Sequence, residues 1–117
     1  MTATHDRASP RSLLKRLDMI KARPAVYLGV GPPNYGVMLE RLDTWIVGYS
    51  EAIRLHQITD RGIEVYETFW QFLERKLRKN MSKGTIPTLR LISSTDKEAW
   101  TMYWLLLTEF RTTRAAG

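Results

Sequence analysis

From Ala99 to Phe110 the chain offers almost no polar face. Ala99, Trp100, Tyr103, Trp104, Leu106, Leu107 and Phe110 surround the helical wheel before Thr108 interrupts them. A helix apolar on nearly every side has to be enclosed by other elements. This stretch therefore predicts a helix through the centre of the core. Ser94 or Thr95 caps it, and Asp96 and Glu98 stand in its first turn, where the helix dipole favours acids. At 117 residues the chain has room for one core, which buries roughly two-thirds of the surface exposed on unfolding.

The rest of the chain reads as helices that wrap this one. Ser9-Pro10 suits a helix start, and Leu13, Leu14, Leu17 and Ile20 follow at helical spacing up to Arg23-Pro24, where the proline ring ends the helix. Residues 25 to 36 contain three glycines and two prolines and read as a structured loop. Met38, Leu42, Trp45, Ile46, Tyr49, Ile53 and His56 draw one stripe over residues 37 to 58. Gly48 inside it offers a point of close approach for a neighbouring helix. His56 is expected to pack at the end of the stripe. After a break at residues 59 to 62, Tyr66, Phe69, Trp70, Leu73 and Leu77 mark a third helix with a basic end. Residues 85 to 94 fit a short helix opened by Pro87 better than a lone strand, which has nothing to pair with. The expected fold is all-α, a single small domain of four to five packed helices over residues 10–112, with flexible ends at 1–9 and 113–117.

Composition narrows the chemistry. The absence of cysteine excludes disulfides, thiolate metal sites and a cysteine nucleophile, and two histidines, His5 and His56, leave little for metal or imidazole catalysis. No cofactor and no metal are expected. Gly29-Val30-Gly31 is not a phosphate loop, because no Gly-Lys-Ser/Thr follows and Pro32-Pro33 removes two backbone donors. No nucleophile stands near a plausible base, so an enzyme is not expected. No apolar stretch approaches membrane-spanning length, and no signal segment opens the chain. The expected location is the cytoplasm.

The net charge of +6 is uneven, with +4 over residues 1–36, −3 over 37–70 and +5 over 71–117. Glu40, Asp43, Glu51, Asp60, Glu64 and Glu67 make up the acidic middle. Glu40 and Asp43, and again Glu64 and Glu67, are three apart and share a helix face. They are the candidate partner-binding residues, a negative patch suited to a basic protein surface. Arg75, Lys76, Arg78, Lys79 and Lys83 form the densest basic run. It suits a helix C-terminus, or with Arg11, Lys15 and Arg16 a phosphate track, though no exposed aromatic platform is expected beside it.

Two resemblances centre on Lys21-Ala22-Arg23-Pro24-Ala25-Val26-Tyr27-Leu28-Gly29. Locally it resembles the Lys-Arg-Pro-x-Met-Tyr-Ile-Gly segment of type II topoisomerase B subunits such as DNA gyrase B. That likeness stops at Gly29, and the magnesium and adenine motifs of those ATPases do not follow. A second resemblance runs along most of the chain. Arg-Pro-x-x-Tyr-Leu-Gly is followed by a long helix with Gly48-Tyr49, then Trp70-Gln71-Phe72-Leu73, then Leu106-Leu107-Thr108-Glu109-Phe110. In this order the chain resembles small bacterial all-helical immunity proteins of polymorphic, contact-dependent toxin systems. It departs mildly from their pattern at Ala25 and Val26, where a small residue and Met are usual. The resemblance implies a protein that binds and neutralises one cognate toxin in the cytoplasm. The −3 middle within a +6 chain points to a 1:1 complex in which the acidic faces of the second and third helices occlude the toxin's active site, or to the opposite docking of basic ends on an acidic toxin. The alternative is a small basic nucleic-acid-binding accessory protein, and the partner is then an anion. Arg23, Pro24, Tyr27 and Gly29 themselves read as a helix stop whose Tyr packs back on the core, with Arg23 bonding the last helix carbonyls or a core-edge carboxylate and Gly29 taking a positive φ.

Overall fold

The computed structural model describes residues 13–116, and within them every regular element is a helix. Six are present, rather than four to five: α1 (Leu13–Ala22), α2 (Pro24–Leu28), α3 (Tyr35–Leu55), α4 (Arg61–Leu77), α5 (Thr85–Ile92) and α6 (Asp96–Ala116). The expected start of the first helix at Ser9-Pro10, the flexible segment 1–9, and His5 and Arg11 lie outside the described residues. No helix among the described residues is long and apolar enough to cross a membrane.

α6 is the central element, as its all-round apolar pattern requires. It packs against α3, α4 and α5, while α1 lies on α4 and carries α2 across to α3. Ala99, Tyr103, Trp104, Leu106, Leu107 and Phe110 are all buried. Phe69 of α4 is the hub: its ring lies 5.3 to 6.3 Å from those of Tyr66, Phe72, Tyr103 and Phe110, in tilted, stacked and edge-on pairs. Thr95 is the cap. Its Oγ1 accepts from Glu98 N–H at 3.1 Å, while Glu98 Oε1 accepts from Ser94 N–H at 2.6 Å. Two backbone donors at the α6 start are thus satisfied by one reciprocal arrangement.

The extra helix is α2, a single turn where a loop was expected. Pro24 sits in its first turn with φ preset, and Gly29 closes it in the left-handed region (φ 73°), donating to Ala25 O at 3.1 Å. Arg41 of α3 fixes this turn by donating from Nη1 to Leu28 O at 2.9 Å. Arg23 is exposed and Tyr27 is exposed rather than packed on the core.

α3 buries Met38, Leu39, Leu42 and Ile46, and Trp45 stacks on Tyr49 with ring centres 5.2 Å apart. It stops at Leu55, three residues before the expected end, so His56 is an exposed cap residue and not a packed one. Gly48 faces open space, with nothing within 4 Å of where a Cβ would stand, so no helix approaches there. Leu77 is the last residue of α4, after which Arg78 takes a positive φ of 54°. The turn to α5 is plugged by Met81, fully buried, and α5 begins at Thr85 rather than Pro87.

Candidate functional site

The acidic residues of the middle segment have different environments. Glu40 and Glu51 are exposed on α3, and eleven residues of helix bring them back to the same face about 16 Å apart. Glu40 Oε2 lies 3.5 Å from Arg90 Nη1, a loose contact, because Arg90 is committed to Asp96 through two hydrogen bonds of 3.0 and 3.2 Å. Those bonds to Asp96 raise the guanidinium pKa further. Glu51 pairs with Arg54 one turn on, an exposed contact of small energetic weight. Glu67 is exposed on α4. The Glu64 side chain lies outside the described residues.

Asp60 leaves the candidate surface altogether. It is only 8% exposed, with Oδ2 accepting from Tyr49 Oη at 2.8 Å and Oδ1 from Ile63 N–H at 3.3 Å. It is the N-cap of α4, and it fastens that end to α3. Burial, then Asp60 itself, pushes the Tyr49 phenol up to about 12.

Asp43 is half-buried on the inner edge of the α3 face, and burial raises its carboxyl pKa. Its charge reaches two phenols in the core, Tyr66 and Tyr103, whose hydroxyls are 2.9 Å apart. Burial pushes Tyr66 up to about 12 and Tyr103 well above its ordinary value. Phenols held so firmly protonated are structural hydrogen-bond partners rather than nucleophiles or bases near neutral pH.

The outer face of α3 carries more than acid. Val37, Val47 and Leu55 are 40, 55 and 77% exposed, and at 100° per residue they flank Glu40, Thr44, Gly48 and Glu51 on the solvent side. The exposed apolar positions carry a signal in the sequence, since Val47 and Leu55 fall outside the buried stripe.

A shallow depression of about 450 Å³ opens where α3 and α6 both begin, lined by Pro33, Asn34, Tyr35, Gly36, Val37, Asp96 and Lys97. Its anionic position is filled by the protein. Asp96 Oδ2 comes so close to Gly36 that a Cβ there would stand 2.7 Å away. The Asp96 carboxylate thus meets the positive end of α3 while Arg90 holds it.

The basic run ends α4 and enters the following turn. Lys76 Nζ pairs with Glu109 at 2.6 Å. Arg75, Arg78, Lys79 and Lys83 are exposed and form no ion pair with a described residue. Trp70 of α4, expected in the core, is 44% exposed and donates from Nε1 to Met81 O at 3.1 Å. An exposed aromatic therefore does stand beside the basic run. The signal for it was its place at the edge of the stripe, one residue past Phe69 and so about 100° round the helix.

Among the described residues no group of three or more His, Asp or Glu side chains converges to hold a metal. Comparison with protein-family models, with curated proteins and with solved structures finds no match to the chain.

Proposed function

We propose that this chain is an immunity protein that binds one cognate bacterial toxin in the cytoplasm, 1:1, and occludes its active site with the outer face of α3. The observation that carries the reading is the composition of that face: Val37, Val47 and Leu55 are exposed beside Glu40 and Glu51 along α3. Apolar anchors with charges around them suit a protein partner, the anchors supplying affinity and the charges steering and register. Glu67 is a further exposed acid, on α4. The class of partner rests on the motif order from Arg23 to Phe110, which resembles that of toxin immunity proteins.

The test is co-expression with the product of the gene directly upstream, one of the two tagged, followed by purification in moderate salt and a growth-rescue assay. A stable 1:1 complex and rescued growth are the expected result. Glu40→Lys with Glu51→Lys should slow association at least about tenfold, and Leu55→Asp should speed dissociation by a similar factor. No complex and no rescue would overturn the immunity reading. A complex untouched by all three substitutions would remove α3 as the contact face.

A further inference from the structure

The α4–α5 turn combines three properties that the α3 reading does not use, and the inference drawn from them is independent of that reading. Its backbone is immobilised on both sides of Met81: Glu74 Oε2 accepts from Met81 N–H at 3.2 Å, and Met81 O accepts from Trp70 Nε1 at 3.1 Å. The Met81 side chain is fully buried, and Gly84 N–H returns to Met81 O at 2.8 Å. The indole of Trp70 is therefore fixed in orientation while nearly half of its surface faces solvent.

Basic residues stand on both sides of the Met81 carbonyl that holds that indole, while Glu74, the acid one turn past Trp70, is taken up by Met81 N–H. Lys79 and Lys83 are each two residues from Met81, which keeps their Cα atoms within about 7 Å of its own. Arg75 stands in the last turn of α4, which ends at Leu77, two residues before Lys79. Arg78 adopts φ 54°, a left-handed conformation that disfavours a side chain. No acidic residue occurs between positions 75 and 83.

We propose that Trp70 with Arg75, Arg78, Lys79 and Lys83 forms a binding surface for single-stranded nucleic acid, a base stacking on the exposed indole face and the cations contacting the flanking phosphates. A fixed aromatic ring bears on any base by its π face, and neighbouring cations that track the backbone supply the salt-dependent part of the affinity. The unstacked base is what selects a single strand, because in a duplex both base faces are already covered. An acidic protein surface would use the same cations and leave the indole without a role.

The experiment is fluorescence anisotropy of the full chain with a labelled oligothymidine of about fifteen nucleotides over about 20 to 200 mM salt. A duplex of equal length and polyglutamate serve as competitors. Binding is expected with a slope of log K against log salt near −3, the value for about four phosphate contacts on a single strand. Trp70→Ala should weaken it about ten- to a hundredfold with the slope unchanged. Trp70→Leu, which keeps an apolar side chain over the turn, should do the same if the alanine variant fails to fold. Lys79→Gln with Lys83→Gln, both at exposed positions, should reduce the slope to about −1.5. No binding at the lowest salt overturns the proposal. So does binding indifferent to Trp70, or competition by duplex or polyglutamate as strong as by the single strand.

Discussion

Asp43 costs the fold something at neutral pH, and the sign of the effect follows from its environment. Burial lifts its native carboxyl above the ordinary value of 3.8, so the folded chain binds that proton more tightly than the unfolded one. Ionisation then disfavours folding once the pH passes the native pKa, and the penalty vanishes below the unfolded value. Asp43→Asn should therefore raise the Tm at pH 7 and leave it nearly unchanged at pH 3, as thermal melts at the two values would show. Asp60 behaves differently although the two carboxylates belong to the same acidic segment. It caps α4 and holds Tyr49, so its role is structural. Segment charge placed Glu40, Asp43, Glu51, Asp60, Glu64 and Glu67 in one set, but charge along the sequence says nothing of what covers it. Asp60 could have been separated on its own sequence context, since an acid three residues before Ile63 at a helix start is an N-cap signature.

At the scale of elements, the start of α6 and the central apolar stripe were readable because each has a local chemical cause. Thr95 with Glu98 announces the start of α6, and the reciprocal bonds of 3.1 and 2.6 Å are what that pattern produces. Thr95→Ala should cost about 1 kcal/mol in chemical denaturation with no change in the m-value. Helix ends were less readable. α3 closes with Gln57 at φ 53°, Ile58 N–H bonding Ile53 O at 3.0 Å and Gln57 N–H bonding Arg54 O at 3.2 Å. That is the pairing of a Schellman ending. Glycine at position 57 would have signalled it, and glutamine does not, so the stripe read on to His56. The α2 turn was hidden for a related reason: its glycines and prolines are loop residues by composition, while the bond from Arg41 that pins it crosses thirteen positions of sequence.

Across the whole molecule the aromatic hub joins α4 to α6, and its hydroxyl pair makes stability sensitive to alkali. Tyr66 is pushed up to about 12 and Tyr103 well above its ordinary value, so the folded chain retains protons that the unfolded chain gives up from pH 10. Stability is complete below pH 10 and is lost progressively as the pH rises past it towards 12. Urea midpoints at pH 8, 10 and 11 should fall in that order, and Tyr66→Phe should flatten the fall between pH 10 and 11. The all-helical architecture follows from sequence periodicity, and α6 takes the central position its apolar faces demanded. The partner of the Trp70 Nε1 was not readable, because it belongs to the turn at Met81, and only the folded chain brings that carbonyl to the indole.

The clasp at Met81 also bears on how the chain meets a protease. Lys79-Asn80 and Lys83-Gly84 are bonds of the kind trypsin cuts, and they lie in the most cationic stretch of the sequence. Cleavage needs several residues drawn out into an extended strand. Here that extraction would pull a fully buried side chain from the core and break the backbone bonds to both Glu74 and Trp70. The segment richest in cleavage sites is thus opened only by unfolding, and its rate of digestion in the native protein reports the stability of the α4–α5 junction.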